Sequence, residues 1–329
     1  MINQAAQTAR FLANAPERQI RIGQTPHTVI HRQGTGALRY FAPKQAKYTP
    51  LFISMPLINT WTIWDLLPQR SVVEALCHNG VPVYLLDWGR PGPEDVERGL
   101  VEHIDDWLGR AFSRAQRHCG TEMDVAGYCV GGTFLAIWLA RNPDAARRAA
   151  FVCSPFDFHA SGRLATWANP ETFPVDSIVD GLGNFPASLM RTSFAWLRPM
   201  GQLSKYKTLM DRIDRPGFTE LWAAMEKWSA DNVDFPGEAY REYVKRCYFD
   251  NALIKGGWIL GNREVDLAAA TIPALAIAAD SDHICPPEAA FGLDAVWGGE
   301  VTKQTLRGGH VGISVTPALP DALMEWIRS

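Results

Sequence analysis

An α/β fold, with a mostly parallel, doubly wound sheet interrupted by a helical insertion, is what this sequence predicts, and three observations carry the prediction. Short apolar runs without polar alternation recur from about residue 48 and again from about residue 272. Stretches with helical spacing separate them, the order expected of strands covered on both faces by crossover helices. Between about residues 156 and 265 the rhythm stops, and Pro, Gly and Trp punctuate amphipathic pieces such as FTELWAAMEKW and GEAYREYVKRCYF.

In chain order, the first half offers strand YTPLFISMP, a helix near 65–79, strand VPVYLLDW, a helix near 93–118, strand MDVAGY, a helix near 131–142 and strand AAFVCSP. After the insertion come strand IPALAIAAD, a helix following PPEAA, a short strand in EVTKQTL and a closing helix in ALPDALMEWIRS. The predicted organisation is a core split over 31–155 and 266–329, an inserted helical cap (lid) at 156–265, and an N-terminal segment 1–30 to which no structure is assigned. With 329 residues, 47% apolar and 20% charged, the chain can bury one large core or two modest ones without metal or disulfide staples.

Charge and composition narrow the function. Against 35 Asp and Glu stand 32 Lys and Arg, a net charge of -3, and no basic stripe stands out along any segment, which argues against nucleic acid and anionic membrane as partners. The N-terminus lacks the unbroken apolar core of a signal peptide and no apolar run approaches a membrane span, so a cytoplasmic location is expected. Cys77, Cys119, Cys129, Cys153, Cys247 and Cys285 are scattered with no CxxC pair, and neither a zinc site nor a disulfide framework is expected. The segment GLGNFP at 181–186 lacks the third glycine of a dinucleotide loop, and no P-loop sequence occurs, so no nucleotide cofactor is expected. Trp167, Trp196, Trp222, Trp228 and Trp258 crowd the middle third, either as core and interface filler or as a surface that meets something apolar.

The chemistry is concentrated in DVAGYCVGGTFL, where Gly127, Cys129 and Gly131 form G-x-C-x-G between a strand and an apolar helix. A nucleophile elbow needs small neighbours because the turn is tight, lifting the side chain above the sheet while the next backbone N–H faces an oxyanion. Gly132 adds close packing of helix on strand. Val130 is the expected N–H donor, and a second is expected from Leu57, Ile58 or Asn59, just past the strand in FISMPLINTW, with Asn59 preferred. In α/β-hydrolase folds the nucleophile is followed by an acid and then a histidine. After the insertion, AADSDHICPP offers Asp280 and Asp282 at a strand end, and RGGHVGI presents His310 in a glycine-bordered loop. Spacing alone does not separate the two aspartates, and Asp282 is preferred as lying farther on the loop side. His283 beside it is a candidate supporting group.

These residues fall into blocks that resemble a known family. GYCVGGT is similar to the modified lipase box of polyhydroxyalkanoate synthases, in which cysteine replaces serine, and VYLLDWGRP, MEKW, NALIKGGWILGNREVDL, DSDHICPP and GGHVGI resemble the same family in the same order, over roughly residues 35–328. The resemblance implies an α/β-hydrolase fold and growth of a polyester from 3-hydroxyacyl-CoA, with Cys129 as nucleophile, Asp282 as acid and His310 as base. CoA would be the leaving group, with no separate cofactor and no metal. The short chain is similar to the catalytic subunit of the two-subunit kind, which implies a non-catalytic partner subunit, a homodimer or hetero-oligomer, and a place at polymer granules. Two other readings use the same residues: a thioesterase or depolymerase-like hydrolase, and a non-catalytic granule-associated subunit.

Overall fold

The computed structural model of the chain describes residues 2–14 and 19–329. Eight strands form the main sheet: β1 (Thr28–Gln33), β2 (Gly36–Phe41), β3 (Leu51–Ser54), β4 (Val83–Asp87), β5 (Asp124–Tyr128), β6 (Ala149–Val152), β7 (Ala274–Ala279) and β8 (Val301–Leu306). Across the sheet they lie in the order β1-β2-β4-β3-β5-β6-β7-β8. β1 and β2 pair antiparallel, β2 runs antiparallel to β4, and every pair from β4 to β8 is parallel. β3, β5, β6 and β7 are buried on both faces, which is why they read as unbroken apolar runs.

The β1–β2 hairpin has no counterpart in the sequence reading. β1 is the sheet edge, its TVIHRQ half exposed and half polar, so no apolar run marks it; Gln33 pairs with Gly36 across a two-residue turn in which Gly34 takes a φ of +52°.

The helices are α1 (Ile2–Ala13), α2 (Val72–His78), α3 (Gly109–Cys119), α4 (Val130–Arg141), α5 (Arg163–Trp167), α6 (Val175–Leu182), α7 (Ala187–Leu197), α8 (Gly201–Arg212), α9 (Phe218–Ala230), α10 (Gly237–Tyr243), α11 (Ala252–Lys255), α12 (Pro287–Phe291) and α13 (Ala318–Arg328). Two helices start later than the sequence predicts. Residues 65–71 form a short strand pair instead of helix because Pro68 breaks the run, and the Asp65 carboxylate is taken by the Thr25 N–H (2.9 Å) and hydroxyl (2.6 Å). α2 begins only where the Ser71 hydroxyl accepts the Glu74 N–H at 2.9 Å, an N-cap. Likewise Pro93–Asp95 is an isolated turn, and the helix of that region runs through a π-helical stretch, Glu102–Leu108, into α3.

Between β6 and β7 the chain is mostly helical, carrying α5 to α11 and one short antiparallel pair, Ile259–Leu260 with Arg263–Glu264. Trp228 and Trp258 are buried there, whereas Trp167 and Trp196 are exposed. α1 lies against α8, with Phe11 edge-on to Trp222 of α9 at 5.7 Å. Among the described residues no helix is long and apolar enough to cross a membrane.

α4 is buried along its whole length, as an all-round apolar helix must be. Its last residue, Arg141, is buried too and is satisfied on every side: Asp105 binds it at 2.9 and 2.5 Å, and the carbonyls of Leu260 and Arg263 accept from it at 3.1 and 3.0 Å. Replacing Arg141 with Met removes all four bonds and strands two carbonyls, so urea unfolding should show a loss of about 3 kcal/mol; a loss within about 0.5 kcal/mol would show that water restores those bonds.

Candidate active site

Cys129 stands between β5 and α4 with φ +52° and ψ −134°, a conformation costly for any side-chain-bearing residue. The surrounding glycines make it possible. A Cβ on Gly127 would lie 2.3 Å from the Gly132 Cα, one on Gly131 2.3 Å from the Met55 carbonyl oxygen, and one on Gly132 1.9 Å from the Ser154 hydroxyl. Helix α4 therefore begins in backbone contact with the ends of β3 and β5. The N–H of Val130, its first residue, has no acceptor within the helix.

The two loops at the C-terminal ends of β7 and β8 supply an acid and a histidine. His310 Nδ1 donates to Asp282 Oδ2 at 2.6 Å, both groups buried. The other carboxylate oxygen accepts the N–H groups of Ile284 (2.8 Å) and Cys285 (2.9 Å). Tyr128 holds the histidine from behind: its ring stacks on the imidazole at 5.5 Å and its hydroxyl donates to the His310 carbonyl at 3.0 Å.

Burial alone would raise the Asp282 pKa, but the His310 charge and three hydrogen bonds outweigh it and hold the group below the usual carboxylate range. For His310 burial works against the imidazolium, and the Asp282 carboxylate, followed by Tyr128 and Cys129, turns the balance so that the ring holds its proton well above the usual histidine range. The pair is arranged to keep a base oriented and to carry its positive charge once it forms.

Cys129 lies at the meeting of two cavities. One, of about 150 Å³, is almost wholly apolar and is walled by side chains of the helical segment, among them Phe173, Met190, Phe235 and Tyr240. The other, of about 460 Å³, is more polar; it is lined by His310, Asn59, Arg191 and Asn232 together with Cys129. Ile58 borders both.

Asn59 and Cys129 thus share the polar cleft with His310. Asp280, the competing aspartate, is exposed and ties two loops together by accepting the Gly308 N–H at 2.9 Å. His283 is exposed, and the groups supporting Asp282 are backbone N–H groups instead. All six cysteines are free.

A residue that sequence reasoning passed over is Cys153, at the end of β6. Its sulfur, an Asp282 oxygen and a His310 nitrogen lie within 4.8 Å of one another. It also has positive φ, +47°. Two cysteines therefore flank the pair, and access separates them. Cys153 lines neither cavity, and burial pushes its thiol up to about 11, whereas Cys129 opens onto both cavities. The signal available beforehand was weak: Cys153 directly follows a buried strand, but no glycine marks it.

Fold and site together define an acyl-transferring enzyme on the α/β-hydrolase scaffold. Residues 63–315 match the family described as alpha/beta hydrolase fold. Solved structures agree at the level of the fold: a bromoperoxidase from Bacillus anthracis (TM-score 0.55, 16% identity, 92% of this chain and 99% of that one) and an esterase from Thermogutta terrifontis (TM-score 0.52, 15% identity, 92% and 98%). More specific is the likeness to the poly(3-hydroxyalkanoate) polymerase subunit PhaC of Allochromatium vinosum, 32% identical over 93% of this chain and 90% of that protein. The same subunit of Synechocystis is 30% identical over 94% and 86%. That of Haloferax mediterranei is 29% identical over 94% of this chain, which spans 65% of that longer protein. The chain belongs to the poly(3-hydroxyalkanoate) polymerase family.

Substituting Asp282 with Asn should lower the rate of acylation by about four orders of magnitude, because the histidine loses the partner that fixes its tautomer and charge. Stability should follow the same pair. The depressed Asp282 pKa contributes stability above the usual carboxylate range that is lost as pH falls through its folded value. The raised His310 pKa contributes stability that is complete below the usual histidine range and is lost as pH rises through its folded value. Urea midpoints of wild type and Asp282→Asn should therefore differ most between those two ranges and converge in acid; a constant gap across pH would assign the loss to packing.

Proposed function

We propose that this chain polymerises 3-hydroxyacyl groups delivered as CoA thioesters, with Cys129 as the nucleophile. The observation that carries the reading is the position of Cys129 on the wall between an apolar cavity and a more polar cleft that holds His310. An acyl chain suits the first and a charged thiol leaving group the second.

In the first step His310 Nε2 takes the Cys129 proton, the sulfur attacks the thioester carbonyl, and the oxyanion accepts from the Val130 N–H and from a donor at Asn59. The carbon–sulfur bond to CoA breaks, His310 returns the proton to the departing thiolate, and the acyl group remains on Cys129. Exchange of one thioester for another is nearly isoenergetic. In the second step the 3-hydroxyl of another acyl unit attacks the carbonyl of an acyl thioester while His310, held by Asp282, receives the hydroxyl proton; the carbon–sulfur bond then breaks and His310 passes that proton to the departing thiolate. An oxoester replaces a thioester, which runs downhill and gives chain growth its direction; a serine nucleophile would forgo that gradient.

The helical segment at 156–265 acts in this reading as a cap that shields the thioester from water, the competing nucleophile. No separate cofactor takes part, since CoA is a portion of the substrate. The relatives are named as polymerase subunits, which supports a non-catalytic partner subunit here, within a homodimer or hetero-oligomer working at the granule surface in the cytoplasm.

The test is CoA release from 3-hydroxybutyryl-CoA followed together with turbidity, for wild type, Cys129→Ala and Cys153→Ala, each with and without a partner subunit. Wild type should release CoA and deposit insoluble polymer, Cys129→Ala should fall to background, and Cys153→Ala should stay within about tenfold of wild type, as expected of a buried thiol that lies beside the His310–Asp282 pair but lines neither cavity. CoA release that leaves only soluble hydroxy acid would establish a hydrolase instead, and loss of acyl-enzyme in Cys153→Ala alone would move the nucleophile to Cys153.

A further inference from the structure

The sequence reading found no basic stripe, yet α3 builds one. Arg110, Arg114 and Arg117 stand at spacings of four and three residues, which places them on one helix face. With His31 of β1, Arg141 and Arg263 they line a cavity of about 620 Å³ that shares no lining residue with either cavity at Cys129. In a chain of net charge -3, this one cavity holds five arginines against two aspartates, Asp105 and Asp106.

Both aspartates are already engaged, Asp105 by Arg141 and Asp106 by Arg110. Arg263 points back to the Arg141 carbonyl at 2.6 Å. Among the described residues Arg114 and Arg117 have no acidic partner. His31 adds an independent mark: its Nε2 is buried without a hydrogen-bond partner. Burial first and the Arg114 charge next hold its pKa below the usual histidine range, Arg110 and Arg117 adding to this against an opposing hydrogen bond with Gln33, and Nε2 is left open to a ligand.

We propose that this cavity binds the oligophosphate group of a small molecule. Guanidinium forks match phosphate oxygens in pairs, and two unneutralised arginines one helical turn apart call for an anion with more than one phosphate rather than a lone carboxylate. The cavity volume falls in the range of small-molecule sites, about 300–1,000 Å³. The Trp138 and Asn142 side of the cavity gives such a molecule a wall against which to rest.

Calorimetric titration of the full chain with pyrophosphate tests this, with sodium sulfate at matched ionic strength as the control and ADP as a second ligand. Saturable one-to-one binding is expected for pyrophosphate. It should weaken by at least about tenfold in the double variant Arg114→Gln/Arg117→Gln, with an intermediate loss in Arg114→Lys, which keeps charge but not the fork. Arg191→Gln, in the polar cleft beside Cys129, should bind as wild type does. ADP binding tighter than pyrophosphate would mark a nucleotide as the carrier, and equal binding a free oligophosphate. Matching heats with sulfate, a double variant that folds with an unchanged urea midpoint and binds like wild type, or weakening in Arg191→Gln instead would each overturn the proposal.

Discussion

Backbone contact between the start of α4 and the ends of β3 and β5 is the constraint on which the site rests. Three glycines within six residues let the helix sit where side chains would collide with Met55, Ser154 or the turn itself. That approach forces Cys129 into a left-handed conformation, and the strain is held by a helix buried over its full length and by the Cys129 N–H donating to the Val152 carbonyl at 2.9 Å. The position of Cys129 on the lining of both cavities and the Val130 N–H beside it follow from this one packing arrangement. A larger residue at any of the three glycines would move all of them together.

The histidine and acid are held by different means. Nothing strains Asp282; it is fixed because every oxygen is satisfied, one by His310 and the other by two backbone N–H groups. The dyad is thus anchored in loops after β7 and β8, and Cys129 in a turn after β5, with β6 between them. The strand between contributes Cys153, which fills the space beside the pair with a neutral thiol.

Much of this was legible in the sequence because each feature rests on a local rule. Buried parallel strands are continuous apolar runs, a tight strand-to-helix turn is a glycine pattern, and Asp282 and His310 meet at neighbouring strand ends in the order the chain brings them. What was not legible depends on partners distant in sequence. The polar edge strand β1 is a strand only because β2 pairs with it, residues 65–71 leave the helical pattern because Thr25 claims Asp65, and Cys153 meets His310 only through sheet order. The arginine stripe of α3 was hidden for another reason: overall charge balance says nothing about how one helix face is populated.

The sheet order also bears on how the chain reaches this structure. β6 and β7 are hydrogen-bonded neighbours, Ala149 beside Ala274, although about 125 residues separate them along the chain. That loop must close before the pairing returns any stabilisation, and parallel pairings across such distances are slow to form. β3 to β6 can assemble from contacts much closer in sequence, so the Cys129 turn belongs to the early half of folding and Asp282 and His310 to the late half. An intermediate stalled at that junction would carry a formed elbow with an exposed β6 edge, the state in which this chain is most prone to associate with another copy.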